Sequence, residues 1–336
     1  NLYKFIVKIK LKKLYDEKII LIHPQTIGFS TVINLIKNNE VYLYVMDSSF
    51  FCIKSYNNKN GEYNPCLACI KNNFDEAKKN RCKLFPIRYE RSYNINFLKK
   101  MQKFKDDITF LAQNNKQKEL LKKHFGEINC EIVGLKTSEI KNRTKDINIS
   151  FNDKNEITKY DFVYHASPHP AKGLKFILEL SGELKNYSFL IPSSIIDCSR
   201  MINQKISKKD YPNITFKNMR WNSGLKKHVI NSKIILNPSL WSAPIEGALI
   251  KSILYNGVVG TFVFPYSFTN EIPNGTIIKL DNKSIKKSAN LLRDIIQDKT
   301  KLKKYRTNSN KWVSKFVENN NNVIEKIKNV TSRNLK

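Results

Sequence analysis

The sequence lacks several signatures that would assign it to a common protein class. Its apolar run VVGTFVFPYSF (258–268) is too short to cross a bilayer, which needs about 18 apolar residues. No secretory signal, Walker A loop or nucleophile elbow of serine hydrolases is recognisable. The G-x-G-x-x-G fingerprint is also missing, which argues against a dehydrogenase. We therefore expect a cytoplasmic protein without a membrane span.

Acidic residues are scarce beside basic ones. The chain holds 29 Asp and Glu against 59 Lys and Arg, which gives a formal net charge of +30. Such a charge attracts nucleic acids, anionic membrane faces or phosphorylated substrates. The basic residues are spread along the chain, so we attribute more than half of the charge to solvated, lysine-rich faces. No RNA-recognition, zinc-finger or helix-turn-helix signature is present, so a nucleic acid is not the favoured partner. The basic surface also fits a peripheral contact with an anionic membrane at its inner face.

Cysteine is sparse too, with six residues in 336. Without a secretion signal, a disulfide framework is not expected. Four cysteines share one loop with the spacing C-x13-C-x2-C-x12-C, and they are Cys52, Cys66, Cys69 and Cys82. This spacing fits a structural zinc site with four thiolate ligands. It fits equally well with free thiols packed under the loop, and the pattern leaves both interpretations open.

The order of apolar runs predicts an α/β protein. KIILIH (18–23) and EVYLYVMD (40–47) are typical of strands, and TVINLIKNN between them is typical of a helix. After a polar stretch that begins at Lys136, the same alternation restarts with YDFVYHAS. We therefore expect two Rossmann-like parallel-sheet domains. The predicted boundaries are an N-terminal domain 1–140 with a cysteine-rich insertion 52–85, a C-terminal domain 150–310 and a helical tail 311–336.

Two loops of the predicted C-terminal domain have features of a ligand-binding site. In HASPHPAKGLKFILELSGEL (165–184), Lys172 stands where a strand and loop give way to a helix, a position that suits a phosphate. Taken alone, this lysine is better explained as a solvated residue of an ordinary loop.

The segment SAPIEGALIKSILYNG (242–257) follows the strand KIILNPS, with Pro244 expected at the first helical position. Glu246 then falls near the third position, with Ser242 or Ala243 as the cap. A carboxylate there stabilises the helix dipole, and it can also accept hydrogen bonds from a polyhydroxyl ligand.

These segments resemble the donor domain of the group 1 glycosyltransferases (glycosyltransferase family 4), which have the GT-B fold. The resemblance rests on VYHASPHPAKGLKFILEL and ILNPSLWSAPIEGALIKSILYNGVVGTFVF, and MDSSFFC (46–52) is similar to the family's His-Asp stretch. It implies two Rossmann-like domains that face each other across a cleft. It also implies transfer of a sugar, with retention, from a nucleotide-diphosphate sugar to a glycan or lipid-linked acceptor, without a catalytic metal.

The resemblance also implies roles for individual residues. The catalytic set would be Asp47, Lys172 and Glu246. The donor-binding set would be Ser167, Lys172, Gly173, Ile245, Glu246, Gly247 and Ala248. The chain departs from the family at Met46 (commonly His), Ser167 (commonly Arg) and Ser252, near the expected second carboxylate. The family's first strand and glycine-rich loop have no counterpart, so we expect a truncated N-terminal domain.

Two alternative functions fit parts of the pattern. A nucleic-acid-binding protein with a four-cysteine zinc module would account for the charge and the cysteines. A catalytically degenerate glycosyltransferase would account for the departures from the family.

Overall fold

A computed structural model describes residues 7, 9–11, 13–59, 61–85, 90–136 and 160–332. These residues form two separate sheets, and every strand pair in both is parallel. The α/β fold class is therefore confirmed. The predicted boundary between 140 and 150 lies outside the described residues.

The N-terminal sheet has four strands in the order β1-β2-β3-β4. The strands are β1 Lys18–Leu21, β2 Glu40–Tyr44, β3 Ile108–Ala112 and β4 Cys130–Ile132. The helices are α1 Pro24–Ile27, α2 Phe29–Asn38, α3 Asp75–Lys79, α4 Arg91–Lys103 and α5 Asn115–Phe125. The side chain of Asn114 caps α5 by accepting the amide of Gln117 (2.9 Å), and Gly126 ends it.

The C-terminal sheet has six strands in the order β10-β9-β8-β5-β6-β7. The strands are β5 Phe162–Tyr164, β6 Phe189–Ile191, β7 Ile214–Phe216, β8 Ile234–Leu236, β9 Val259–Thr261 and β10 Ile278–Lys279. The helices are α6 Leu174–Glu183, α7 Ile195–Ile202, α8 Leu225–Asn231, α9 Gly247–Tyr255 and α10 Ile285–Gln297. The strand order reverses between β5 and β8. Open α/β sheets bind ligands beyond the carboxyl ends of the strands at such a point.

Two further helices connect the C-terminal domain to the N-terminal one. They are α11 Lys299–Asn320 and α12 Val323–Ser332. Ile327 and Val330 of α12 pack against the buried rings of Tyr42 and Tyr44 on the N-terminal sheet. The predicted tail 311–336 thus corresponds to the end of α11 and to α12, and residues 333–336 lie outside the described part of the chain. No described helix is both long and apolar enough to span a bilayer.

Polar contacts also join the two domains on the side of α5. The carboxylate of Glu271 accepts the backbone amide of Lys116 (2.6 Å) in the first turn of that helix. Lys123 donates to the hydroxyl of Tyr266 (3.0 Å) and lies 5.0 Å from the centre of its ring. These contacts hold the carboxyl edge of the C-terminal sheet close to the N-terminal domain.

Candidate functional site

Two loops meet at the switch point of the C-terminal sheet. One follows β5 and contains Lys172, and the other follows β8 and leads to Glu246. They touch at Gly173, whose φ of 78° is left-handed. A Cβ atom there would lie 2.2 Å from the carbonyl oxygen of Pro238, so only glycine fits this approach. The amide of Leu240 donates to the carbonyl of Ala171 (2.8 Å) and holds the loops together.

The two predicted donor-site side chains form an ion pair. The ammonium of Lys172 contacts the carboxylate of Glu246, and only 14% and 13% of these side chains are exposed. The hydroxyl of Ser239 donates to the other oxygen of Glu246. Burial lowers the pKa of Lys172 to about 7, whereas the adjacent carboxylate favours the charged ammonium. The pair is thus largely shielded from water. A charged ligand can replace either member as the partner of the other.

Glu246 does not occupy the predicted position in its helix. Helix α9 begins at Gly247 rather than at Pro244, so Glu246 is the N-cap residue, and its side chain makes no capping hydrogen bond. The reason is that Ile245 is buried in the C-terminal core and the carbonyl of Ala243 accepts a hydrogen bond from the amide of Phe268 (2.8 Å), which keeps this segment out of the helix. The predicted third position for Glu246 and the predicted cap at Ser242 or Ala243 are therefore wrong. The carboxylate faces the Lys172 loop instead.

Aromatic rings enclose the ammonium group of Lys172. It lies 5.0 Å from the ring centre of Tyr56 and 4.8 Å from that of Trp241, and the two rings are 4.6 Å apart. Both distances are typical of cation–π contacts. Trp241 is buried, and its indole Nε1 has no hydrogen-bond partner among the described residues. A buried N–H without a partner is rare and marks a place where an acceptor oxygen of a ligand can bind.

The segment Tyr56–Asn58 comes from the cysteine-rich insertion of the N-terminal domain. The fully buried amide of Asn57 pairs with Ser242, accepting from its backbone N–H (3.0 Å) and donating to its hydroxyl (3.0 Å). Asn58 donates to the carbonyl of Leu240 (3.2 Å). Both domains therefore build the site. No local pattern in the sequence indicated these contacts, because the partners are more than 180 positions apart.

Asp47 lies just beyond β2, on the N-terminal side of the site. It accepts the amide of Ser49 (2.8 Å) and is approached by the side-chain amide of Gln25 (3.5 Å). Burial raises the pKa of this carboxyl group, and the hydrogen bonds from Ser49 oppose that effect. Burial raises the pKa of Tyr56, and the charge of Asp47 adds to it. Asp47 is thus close to the aromatic enclosure of Lys172, although none of its described hydrogen bonds joins it to Lys172 or Glu246.

The remaining predicted donor-site residues differ in which of their groups can contact a ligand. Ser167 is exposed, and its carbonyl accepts the hydroxyl of Tyr164 (2.7 Å). Ile245 packs in the core, so only its backbone can face a ligand. Gly247 and Ala248 are partly exposed at the start of α9. The amide of Ile250 is the first in this helix to donate to a carbonyl of the preceding turn, that of Glu246 (3.1 Å). Their amide groups can therefore serve an external acceptor.

Ser252, which stands near the expected position of a second carboxylate, is fully buried. Its hydroxyl lies 2.8 Å from Nδ1 of His165 and donates to the carbonyl of Ala248 (2.8 Å). The imidazole stacks on the ring of Trp221, with centres 5.2 Å apart and planes 10° apart. Burial lowers the pKa of His165 to about 4, so this pair is neutral at physiological pH. A neutral Ser–His contact thus replaces the charged group that the resemblance implies.

The structure gives no support to the predicted zinc site at the four cysteines of the insertion. In the described part of the chain, no group of three or more His, Cys, Asp or Glu side chains is arranged to hold a metal. Cys52, Cys69 and Cys82 instead pack against the N-terminal apolar core, and Cys66 is half-buried. Burial raises the pKa of Cys69 to about 12 and also raises those of Cys52 and Cys82. The hypothesis of a zinc-based nucleic-acid-binding module loses its structural support.

Comparison by sequence finds no matching family model and no matching curated protein. Comparison of structures finds glycosyltransferases. TarM of S. aureus, in complex with fondaparinux, alpha-GlcNAc-glycerol and UDP, matches 93% of this chain with a TM-score of 0.59 and 14% identity. HepE of Anabaena, in complex with UDP-glucose, matches 97% with a TM-score of 0.60 and 12% identity. Sucrose-phosphate synthase of Thermosynechococcus elongatus matches 93% with a TM-score of 0.59 and 10% identity.

The match extends over 55% of TarM, 82% of HepE and 72% of the synthase. The chain thus spans little more than half the length of TarM. At these identities the likeness concerns the fold, and it confirms the predicted GT-B architecture of two Rossmann-like domains.

Proposed function

We propose that the chain is the catalytic part of a glycosyltransferase, of the family 4 type, that uses a nucleotide-diphosphate sugar. The sugar passes with retention to a glycan or a lipid-linked acceptor. The observation that carries this proposal is the Lys172–Glu246 pair at the switch point of the C-terminal sheet, where such sheets bind ligands. The structures of TarM with UDP and of HepE with UDP-glucose support the choice of ligand.

In this proposal the diphosphate replaces Glu246 as the partner of Lys172. The ammonium and the first amides of α9, those of Gly247 and Ala248, are the positive groups nearest to a phosphate. They stabilise the charge that develops on the leaving diphosphate, which is the largest contribution that such a site offers. Trp241 supplies a further donor through its unpartnered Nε1.

Released from Lys172, the carboxylate of Glu246 accepts hydrogen bonds from the hydroxyl groups of the sugar. Ser239 keeps one of its oxygens oriented during this exchange. Asp47 faces the sugar from the N-terminal domain. Because Tyr56 covers Lys172 and Asn57 is bonded to Ser242, the segment Tyr56–Asn58 has to shift when the donor enters.

A thermal-shift screen of nucleotide sugars tests this proposal. We expect at least one uridine or other nucleotide-diphosphate sugar to raise the melting temperature, because a ligand of the folded state stabilises it. Lys172→Ala and Glu246→Ala should remove the shift. Lys175→Ala should retain it, because Lys175 lies in the same segment but is exposed and pairs with Glu179 (3.7 Å). A shift that is equal in all four proteins would contradict the assignment of the site.

A second candidate is a glycosyltransferase that binds its donor without turnover. The neutral contact between Ser252 and His165 favours it, since a buried serine stands near the expected position of a carboxylate. Formation of a glycosylated product from any donor would rule this candidate out.

A further inference from the structure

The cysteine-rich insertion (52–85) connects the two domains through its own side chains. On the N-terminal side, Ile53, Phe74 and Ala77 are buried members of the N-terminal core. On the C-terminal side, the ring of Tyr63 packs edge-on against Phe176, a buried residue of the C-terminal core, with ring centres 5.6 Å apart. The insertion is therefore anchored in one domain and contacts the other.

Hydrogen bonds fasten the insertion to the C-terminal domain. Besides the two bonds between Asn57 and Ser242, the side-chain amide of Asn282 donates to the carbonyl of Tyr63 (3.0 Å). Asn57 is also held from within the insertion. Its carbonyl accepts a hydrogen bond from the amide of Cys66 (2.6 Å), and its side chain donates to the carbonyl of Cys66 (3.1 Å). The contact with Ser242 is thus made by a residue whose position is fixed on both sides.

The insertion also covers the proposed donor groups. The ring centre of Tyr56 lies 5.0 Å from the ammonium of Lys172 and 4.6 Å from the ring centre of Trp241. A diphosphate cannot contact the ammonium of Lys172 while Tyr56 occupies this position. We call the contacts that Tyr56, Asn57 and Tyr63 make with the C-terminal domain the latch.

The backbone of the insertion is strained. Among the described residues, six non-glycine residues have a left-handed backbone, and four of them lie in the insertion, with φ between 47° and 64°: Ser55, Lys71, Asn72 and Arg81. Such conformations are unfavourable for residues with a Cβ atom, and they are concentrated in segments that switch between two arrangements. Because Ser55 directly precedes Tyr56, relaxation of its backbone repositions the latch.

We propose that the latch is an autoinhibitory contact that keeps the donor site closed until a nucleotide diphosphate displaces Tyr56. This inference rests on the proposed function and adds a regulatory step to it. A segment that only completed the site would line it and leave Lys172 open to the ligand, whereas Tyr56 covers the ammonium itself. The apparent affinity for the donor is then the intrinsic affinity multiplied by the fraction of molecules in which the latch is open. Weakening the latch without changing the donor groups should therefore tighten nucleotide binding.

Calorimetric titration of the full chain with UDP tests the latch. Asn57→Ala removes the hydrogen bonds between the insertion and Ser242. We expect this variant to bind UDP about ten-fold more tightly than the unmodified protein, because two buried hydrogen bonds no longer oppose opening. Asn282→Ala removes the bond to the carbonyl of Tyr63 and should tighten binding about three-fold. Asn64→Ala, at an exposed side chain of the same insertion, is the matched control and should bind UDP as the unmodified protein does.

Hydrogen–deuterium exchange of residues 61–66 reports opening of the latch directly, because the amide of Cys66 is bonded to the carbonyl of Asn57. UDP should accelerate exchange in this segment of the unmodified protein, whereas a ligand that binds beneath an unmoved insertion would slow it. Without UDP, exchange should be faster in Asn57→Ala and Asn282→Ala, and unchanged in Asn64→Ala. Asn282→Ala keeps the test decisive if Asn57→Ala folds poorly.

The outcomes separate failure of the latch from failure of the proposed function. If neither the unmodified protein nor any variant binds UDP or UDP-glucose, the proposed function fails and the latch proposal fails with it. If the unmodified protein and Asn64→Ala bind UDP, but Asn57→Ala and Asn282→Ala bind it no more tightly, only the latch proposal is overturned. Slower exchange of residues 61–66 in the presence of UDP would overturn it as well.

Discussion

Replacing Gly173 with alanine should destabilise the C-terminal domain and remove nucleotide binding together. Gly173 adopts a left-handed conformation, and an added Cβ would lie 2.2 Å from the carbonyl oxygen of Pro238. The conformation costs a non-glycine residue about 1–2 kcal/mol, and forcing two packed loops apart adds about 1–3 kcal/mol. The expected loss is therefore about 2–5 kcal/mol, a large share of the roughly 5–15 kcal/mol that stabilises a typical protein.

The assay is urea unfolding followed by tryptophan fluorescence. All three tryptophans lie between residues 221 and 312, so the signal reports on the C-terminal domain and the helix that follows it. Gly182→Ala is the control, because this glycine lies in α6, the helix that begins directly after Gly173, and a Cβ there meets nothing within 4 Å. Alanine at that position should be neutral or stabilise by up to about 1 kcal/mol. If Gly173→Ala unfolds at the same urea concentration as the unmodified protein, the contact between the two loops is not as described.

Three other predictions concern pH, the domain interface and metals. Burial lowers the pKa of His165 from 6.5 to about 4, so the unfolded chain takes up a proton before the folded one as the pH falls. Stability should therefore drop between about pH 6.5 and pH 4 by up to about 3 kcal/mol from this group, and urea titrations of His165→Asn should show a shallower decline. Asn57→Ala removes buried hydrogen bonds to Ser242 and should cost about 2–4 kcal/mol in urea unfolding, whereas Asn64→Ala, at an exposed side chain, should change little. Dialysis against a chelator should leave the melting temperature unchanged, because the insertion cysteines are not arranged around a metal, and metal analysis that finds about one zinc per chain would contradict this.

The inner strands, such as β2, β3, β5 and β8, were predictable because they are short apolar runs that are almost fully buried, as in parallel sheets covered on both faces. The carboxyl ends of such strands share one edge, so the proximity of the Lys172 and Glu246 loops could also be inferred. The strand β10, Ile278–Lys279, was not predicted, because two residues give no periodic signal.

Proline caused the error at the start of α9. Pro244 favours the first helical position, but burial of Ile245 delays the start of the helix by three residues, and tertiary packing outweighs the local preference. The contacts of Tyr56 and Asn57 with the C-terminal domain had no sequence signal at all, since they depend on how two domains meet. The cysteine spacing was consistent with zinc, but spacing does not reveal how the side chains are arranged in space, and no metal-holding group of three or more ligands is present among the described residues.

The central claim is that Lys172 and Glu246 bind a nucleotide diphosphate, and calorimetric titration with UDP and UDP-glucose tests it most directly. We expect saturable binding by the unmodified protein and by Lys175→Ala. Lys172→Ala should weaken binding at least about ten-fold, which corresponds to about 1.4 kcal/mol and is modest for a charge-assisted contact. Absence of nucleotide binding to the folded protein, or equal affinity in Lys172→Ala and Lys175→Ala, would contradict the account.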